Sequence, residues 1–276
     1  MQQPAPGSAT ASRAAAPAIR AIGLTKRYGS VTAVDQLDLT IAPGELFCFL
    51  GPNGSGKTTT IKMLTGLLEP TAGTAAVAGF DVWREPLAAK ARFAYVPDEP
   101  SLFPKLTGRE FLRFIGSVFR MPEALFERRA RDLLALFELA DRVDELIETY
   151  SHGMRQKLAI CAALVHEPPV VFLDEPTVGL DPRSARTLKV LLRRVCDAGA
   201  TVFLTTHILE IAEQMCDRVG IIQQGKLIAL GTLDELRQRG GHAGASLEDI
   251  FLQLTGGAES AELIQALATG ERSGGR

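Results

Sequence analysis

The chain alternates short apolar runs with longer stretches of helical spacing. Three runs, at 46–50, 170–173 and 201–204, are apolar almost throughout, which is typical of strands buried on both faces. Helical stretches separate them over much of the chain. This alternation predicts an α/β fold around a mostly parallel sheet. The polar residues that end these strands should then lie along one edge of the sheet.

Two regions depart from this alternation. Residues 18–50 contain short apolar runs broken by turn residues, which predicts small antiparallel strands near the N-terminus. Between 107 and 150 no strand pattern occurs; instead, Thr107 and Glu110 form a capping-box pattern followed by apolar residues at helical spacing. We therefore expect a helical subdomain from about 98 to 156, inserted into the α/β core, with a second helix from Pro122 to Leu139. Phe114 is expected to be buried in the core of this insert.

Composition suggests three segments. Residues 1–17 contain almost no large apolar side chains, so we expect a disordered tail. The main domain should span 18–238, and 239–276 should form a helical extension. Hydrophobic content of 46% and charged content of 22% are ordinary for a folded domain. No apolar run approaches the ~18–20 residues of a membrane-spanning helix, so any membrane attachment should go through a partner.

Charge and cysteine spacing argue against several kinds of site. The net charge is −2, from 30 basic and 32 acidic residues, so no overall field favours nucleic acid. No C-x-x-C pair occurs, and the histidines show no metal-ligand spacing, so we predict no structural zinc. The cysteines are expected to be buried thiols rather than a disulfide framework. They are Cys48, Cys161, Cys196 and Cys216.

A glycine-rich segment follows the first buried run and precedes a helical stretch that we expect to end at Leu68. The segment fits G-x-x-x-x-G-K-[ST], in which backbone N–H groups and a helix N-terminus surround phosphates and the lysine reaches the outer ones. The strand before it and the helix after it make a chance glycine turn a poor alternative. We predict that this loop binds a nucleoside triphosphate. Its residues are Gly51, Pro52, Asn53, Gly54, Ser55, Gly56, Lys57, Thr58 and Thr59.

Hydrolysis of a triphosphate requires neutralised phosphates, a magnesium ion and an oriented water molecule. Lys57 can neutralise phosphate, and Thr58 can ligate magnesium through its hydroxyl. Asp174 directly follows a buried strand and is placed to hold the same ion. Glu175 comes next and could orient or deprotonate the water. His207 ends another strand and could contact the γ-phosphate or the water, although a lone histidine is more often structural.

Four segments together resemble those of ABC-transporter ATP-binding subunits. They are GPNGSGKTT at 51–59, YSHGMRQ at 150–156, VVFLDEPTVGLDP at 170–182 and TTH at 205–207. Their order and spacing match the family from about residue 19 to 238. The resemblance implies a P-loop NTPase core that binds ATP and Mg²⁺ and hydrolyses ATP. Lys57, Glu175 and His207 would be its catalytic residues.

The resemblance also implies roles for residues outside the phosphate loop. Tyr28 would stack on adenine, although a half-buried aromatic at a strand end explains it equally well from the sequence. Asp98 would contact magnesium and the membrane partner. Ser151 and Gly153 would touch the γ-phosphate bound by an opposite subunit, although Ser151 also fits an ordinary helix N-cap. Asp181 would lie in the loop that crosses between two sites.

Partners and location follow from the same resemblance. It implies a homodimer or paired ATPase subunit, and a separate transmembrane permease that holds the protein at the cytoplasmic face of the cell membrane. The segment 246–252 and the departures from the usual pattern resemble the branch that exports drugs, polysaccharides or ions. A capped amphipathic helix packing on the core is the simpler interpretation of 246–252.

Two departures from the family pattern concern the site itself. His152 and Met154 replace a glycine and the glutamine of the usual Leu-Ser-Gly-Gly-Gln segment, which leaves the serine and one glycine in place. Asp98 stands where the family usually has glutamine. We hypothesise that Asp98 approaches the metal through water, because its side chain is charged and shorter than glutamine.

Two other functions fit parts of the pattern. A soluble ATPase of the same superfamily could act on DNA or ribosomes, but the sequence contains neither long heptad repeats nor a second copy of the motifs. A subunit that senses ATP without hydrolysing it is disfavoured by the presence of Glu175 and His207. An ATP-hydrolysing motor subunit of a membrane permease remains the preferred hypothesis.

Overall fold

The computed structural model describes residues 16–239 and 246–255. The predicted disordered tail, apart from residues 16 and 17, lies outside these ranges, as do large parts of the predicted extension at 239–276. Within the described residues no helix is long and apolar enough to cross a membrane.

The strands of the described residues form two sheets. They are β1 (Ile19–Tyr28), β2 (Val31–Ile41), β3 (Leu46–Leu50), β4 (Ala72–Val77), β5 (Phe80–Asp81), β6 (Phe93–Val96), β7 (Val170–Asp174), β8 (Thr201–Thr206), β9 (Arg218–Gln223) and β10 (Lys226–Gly231).

Along the chain, most of the helices follow strands of the larger sheet. They are α1 (Lys57–Leu64), α2 (Pro86–Lys90), α3 (Gly108–Val118), α4 (Glu123–Leu136), α5 (His152–Leu164), α6 (Pro182–Asp197), α7 (Leu209–Met215), α8 (Leu233–Arg239) and α9 (Leu247–Thr255), with short 3₁₀ turns at Ala140–Arg142 and Ile147–Thr149.

The smaller sheet has the spatial order β2-β1-β4-β5, and its strands pair antiparallel. The larger sheet has the order β10-β9-β3-β8-β7-β6. Its strands β9, β3, β8, β7 and β6 are mutually parallel, and β10 pairs antiparallel with β9 at the edge. The predicted combination of a mostly parallel sheet with small antiparallel strands is therefore confirmed.

Strand β3 explains why the central strands are apolar throughout. All five of its residues are buried. Leu46, Cys48 and Leu50 pack with the helical side of the molecule, whereas Phe47 and Phe49 pack into a second cluster with the smaller sheet and α1. Because successive side chains point to opposite faces of a strand, a sheet covered on both sides needs apolar residues at every position. The phosphate loop thus starts from a strand that is buried on both faces.

The insert between β6 and β7 is helical, as its sequence predicts. Thr107 caps α3: its hydroxyl accepts a hydrogen bond from the Glu110 N–H at 3.2 Å, and the Glu110 carboxylate accepts one from the Thr107 N–H at 2.8 Å. The expected burial of Phe114 is wrong, since the residue is 46% exposed. The buried face of α3 is formed by Phe111 and Leu112, and Phe114 lies beside that face.

Two helix boundaries also differ from prediction. The helix after the phosphate loop ends at Leu64 rather than Leu68, because Gly66 adopts a left-handed conformation with φ of 65°. The second helix of the insert was expected to continue to Leu139. It ends at Leu136, and Glu138 adopts a positive φ of 57° directly after it.

Candidate active site

The phosphate loop joins the buried end of β3 to the first turn of α1. Close contacts require glycine at two positions of the loop, Gly51 and Gly56. A Cβ on Gly56 would lie 2.6 Å from the carbonyl oxygen of Ala33, and Gly56 has a left-handed φ of 112°. A Cβ on Gly51 would lie 2.5 Å from the carbonyl oxygen of Ile222. The loop is therefore held tightly against neighbouring backbone, in a conformation that only glycine adopts readily.

Within this loop two polar side chains are buried. The Lys57 Nζ donates a hydrogen bond to the carbonyl oxygen of Gly51 at 2.7 Å and lies 3.6 Å from Oε1 of Glu175. The hydroxyl of Ser55 is buried and has no hydrogen-bond partner among the described residues. A buried hydroxyl without a partner is costly, and a phosphate oxygen would satisfy it. The loop therefore fits the triphosphate that its sequence predicts.

The two carboxylates after β7 are held by the neighbouring strand. Asp174 is buried, and its Oδ1 accepts a short hydrogen bond from the hydroxyl of Thr205 on β8. The same hydroxyl accepts a hydrogen bond from the N–H of Glu175 at 3.1 Å. One threonine thus holds the Asp174 carboxylate and the backbone of Glu175, although it is not among the predicted site residues. Its only signal is the parallel pairing that places Asp174 opposite Thr205.

Glu175 lies between a lysine and a histidine. Its Oε1 is 3.6 Å from the Lys57 Nζ, and its Oε2 is 3.0 Å from Nδ1 of His207. The backbone N–H of His207 also donates to Oε2 at 3.3 Å. The carboxylate is therefore held in one orientation at the sheet edge, where the sequence predicts that all three strand ends meet.

A cavity of about 200 Å³ opens beside these groups. It brings together the loop, one carboxylate after β7 and the acidic residue after β6. The residues that line it are Ala33, Asn53, Gly54, Gly56, Lys57, Thr58, Thr59, Asp98 and Glu175.

The cavity is rich in negative charge. Burial raises the pKa of Asp98 above its usual value, and the charges of Asp174, Glu175 and Glu99 raise it further, while His152 acts in the opposite direction. Like charges near one another disfavour ionisation, so a bound cation would relieve this repulsion. Carboxylate and hydroxyl oxygens are the ligands that magnesium prefers. The donors present therefore fit the predicted magnesium ion.

Tyr28 ends β1 and exposes about half of its surface (50%). The Nζ of Lys26 lies 5.3 Å from the centre of its ring, within the range of a cation–π contact. The ring does not belong to the described lining of the cavity. Its exposure agrees with either interpretation that the sequence left open.

Ser151, Gly153 and Asp181 take part in helix caps and in packing between elements. The Ser151 hydroxyl caps α5 by accepting from the N–H of Met154 at 3.3 Å. Asp181 caps α6, and its hydrogen bonds with Ser184, together with Lys157, hold its pKa well below the usual range. These three predicted site residues are absent from the described lining of the cavity.

Fold and site together define a class of protein: a P-loop nucleoside triphosphatase with an inserted helical subdomain. A family model described as ABC transporter matches residues 34–178, more than half of the chain. The chain belongs to this family, as one of its ATP-binding, ATP-hydrolysing members. The predicted family, fold class and ATPase activity are confirmed.

Individual relatives agree with this assignment. The daunorubicin/doxorubicin resistance ATP-binding protein DrrA of Streptomyces peucetius is 45% identical over 220 residues, which cover 80% of this chain and 67% of that protein. A solved ATP-binding subunit of an ABC transporter has a TM-score of 0.83 at 36% identity, covering 86% of this chain and 98% of that one. A dimeric ATP-binding cassette in a post-hydrolysis state with ADP and Pi has a TM-score of 0.72 at 25% identity, covering 78% and 98%.

Proposed function

We propose that the protein binds MgATP in the cavity beside the phosphate loop and hydrolyses it to drive export through a separate membrane permease. The observation that supports this most directly is the position of Glu175. Its carboxylate is held between Lys57 and His207 at the wall of a cavity that contains the phosphate loop.

The phosphates occupy the glycine-rich loop in this proposal. The backbone N–H groups of the loop, the N-terminus of α1 and the Lys57 ammonium group stabilise the negative charge. Thr58, Asp174 and Asp98 would hold magnesium, the last of them through a water molecule. When bound, the ion supplies charge neutralisation to the phosphates. Tyr28 stacks on the adenine ring with the exposed part of its side chain.

Hydrolysis requires a water molecule in line with the bond that breaks. Glu175 accepts a proton from this water or orients it, because its carboxylate reaches the cavity wall. The Nδ1 of His207 holds that carboxylate at 3.0 Å, and its exposed ring is available to the γ-phosphate. On the neighbouring strand, the Thr205 hydroxyl holds the Asp174 carboxylate and the backbone N–H of Glu175 in place.

A second subunit completes each site in this proposal. Ser151 and Gly153 lie at the N-terminus of α5, where the helix dipole favours an anion, but that end is outside the chain's own cavity. Two copies arranged head to tail would place the end of α5 against the triphosphate of the other copy, with Asp181 between the two sites. The dimeric form of the structural relative with ADP and Pi supports this arrangement.

The permease is proposed to dock on the helical insert. Phe103 (51%), Phe114 (46%) and Val118 (56%) are exposed there; we call them the aromatic patch. The two rings meet edge to face with centres 5.7 Å apart. Exposed apolar side chains that cluster in this way mark interaction surfaces. Docking there would hold the protein at the cytoplasmic face of the membrane.

The relatives support export as the direction of transport. Three proteins similar to this chain are named for linearmycin resistance, for daunorubicin or doxorubicin resistance and for Nod factor export. The cargo itself would be selected by the permease, since no described helix of this chain spans a membrane.

Replacing Glu175 by glutamine tests the catalytic assignment. The variant should bind ATP, lose about 10³-fold in turnover and accumulate as an ATP-bound dimer, because the sandwich forms but is not hydrolysed. Steady-state ATPase assays and sedimentation with and without ATP measure both effects. Glu99→Gln is the matched control, since it removes the same charge near the cavity. Wild-type turnover in Glu175→Gln would exclude Glu175 as the catalytic carboxylate.

A further inference from the structure

The first turn of α5 packs closely on the segment between β7 and α6. A Cβ on Gly153 would lie 2.7 Å from the carbonyl oxygen of Gly179. A Cβ on Gly179 would lie 2.2 Å from Cδ2 and 2.8 Å from Nε2 of His152. The carbonyl oxygen of Gly179 leaves no room for an additional atom at position 153, and a Cβ at position 179 would require the His152 ring to move. The edge of the His152 ring therefore fills the space that a side chain at position 179 would need.

Two further contacts join the same elements. The buried Gln156 donates through Nε2 to the carbonyl oxygen of Pro176 at 3.4 Å, and the Lys157 Nζ lies 3.1 Å from Oδ2 of Asp181. Positions 153, 156 and 157 are three and four residues apart and share one face of α5. These three positions of α5 thus contact the 176–181 segment together.

His152 contributes to this contact without being needed for the helix itself. Ser151 supplies the N-cap of α5, and the imidazole ring is exposed at the first helical position. It touches Gly179, whose left-handed φ of 77° leaves no alternative to glycine without strain.

We propose that His152 is a positioning residue: its ring braces Gly179, so that the Ser151 hydroxyl and the Asp181 loop are held in a fixed relative position. This inference rests on the proposed function, in which both groups serve the ATP of a second subunit. Reaction rates depend steeply on such placement, since a displacement of about 1 Å can cost about a hundredfold. His152 acts through Gly179 and makes no contact with the phosphate in this proposal.

The first experiment compares steady-state ATPase kinetics of full-length variants. His152→Ala should lower kcat about tenfold with KM within about twofold, because the phosphate contacts stay while their placement is lost. His152→Gln should recover most of kcat, since its flat amide reaches nearly as far as Nε2. Arg155→Ala, an exposed change in the next turn of the same helix, should leave both constants unchanged. Thermal unfolding midpoints should agree among all four proteins.

A double variant tests the contact with Gly179 directly. Gly179→Ala should lower kcat more than His152→Ala, because the new methyl group displaces the ring and the left-handed backbone at position 179 disfavours alanine. In combination with His152→Ala, the same substitution should give a higher kcat than Gly179→Ala alone, since the collision is gone. Two residues that do not interact would give additive effects instead.

Several outcomes would overturn the inference. They are an unchanged kcat in His152→Ala, a raised KM with unchanged kcat, which indicates a phosphate contact, and strictly additive effects in the double variant. Dimerisation of Glu175→Gln with ATP separates this inference from the proposed function. If that variant fails to dimerise, the proposed function itself is wrong. If it dimerises while His152→Ala behaves like wild type, only the role of His152 is wrong.

Discussion

Asp98 places a negative charge in a cavity that already contains one carboxylate and adjoins another. Burial and the charges of Asp174 and Glu175 raise its pKa, so its ionised form costs free energy until a cation binds. Asp98→Asn should raise the magnesium concentration needed for half-maximal ATPase activity about tenfold. The reason is that a carboxylate attracts the ion, directly or through water, more strongly than an amide does. Magnesium titration of ATPase activity at fixed ATP measures the change.

Glu99→Gln is the control for this titration as well. It removes the charge of the residue next to Asp98, and the Glu99 side chain is outside the described lining of the cavity. It should change the half-maximal magnesium concentration less than twofold. Equal magnesium requirements in wild type and Asp98→Asn would mean that Asp98 has no part in holding the ion.

The sequence alone identifies those site residues that stand in a recognisable motif or directly after a predicted strand. Lys57, Glu175 and His207 stand in motifs or directly at predicted strand ends, and the structure brings all three together. Thr205 was missed because its role arises from pairing between strands 31 residues apart. In the sequence, a threonine in a buried strand gives no sign of whether its hydroxyl bonds to its own backbone or to residues of a neighbouring strand. Tertiary structure was needed to distinguish these cases.

At the scale of elements, the cap of α3 makes a measurable contribution to stability. Thr107→Ala should lower the free energy of unfolding by about 1 kcal/mol, because the N–H of Glu110 loses its acceptor and the capping box is broken. Urea unfolding followed by circular dichroism measures this loss. Ser117→Ala, an exposed hydroxyl change in the last turn of the same helix, should shift stability by less than about 0.5 kcal/mol. If Ser117→Ala lowered the free energy of unfolding as much as Thr107→Ala, the capping box would have no special contribution to stability.

The cap also predicts a dependence on pH. The hydrogen bonds from Thr107 lower the pKa of the Glu110 carboxyl group in the folded protein. Stability from this group is therefore present above its unfolded pKa and is lost as the pH falls through the lower, folded pKa. The difference between wild type and Thr107→Ala should accordingly shrink in acid, in the same unfolding measurement.

Element types could be predicted from sequence more reliably than their ends. Apolar runs and helical spacing located the central strands and the insert, since burial on one or two faces dictates those patterns. The end of α1 was missed because a glycine inside an apolar stretch gives no sign of its φ angle. The left-handed φ of 65° at Gly66 is seen only in the folded backbone. Similarly, Phe114 fits the apolar face by spacing, but α3 is rotated so that the ring is exposed.

At the scale of the whole molecule, the nucleotide cavity and the aromatic patch belong to different parts of the chain. The cavity lies at the edge of the parallel sheet, whereas Phe114 and Val118 lie on α3 of the insert. None of the patch residues lines the cavity. The helix α5 packs against both α3 and β6, so it connects the insert to the sheet. Docking and hydrolysis can therefore be altered independently by mutation.

Phe114→Arg tests whether the aromatic patch binds the permease. A charged side chain in an apolar interface loses burial and must be desolvated, so the fraction of the chain that sediments with membranes of the producing cell should fall at least about tenfold. The ATPase activity of the purified variant should stay at the wild-type level, because the patch lies outside the cavity. Val190→Arg on α6 is the matched control, since Val190 is equally exposed at 50% and should leave sedimentation unchanged. If Phe114→Arg sediments like wild type, the permease docks elsewhere; if both variants are released, the effect is one of charge alone.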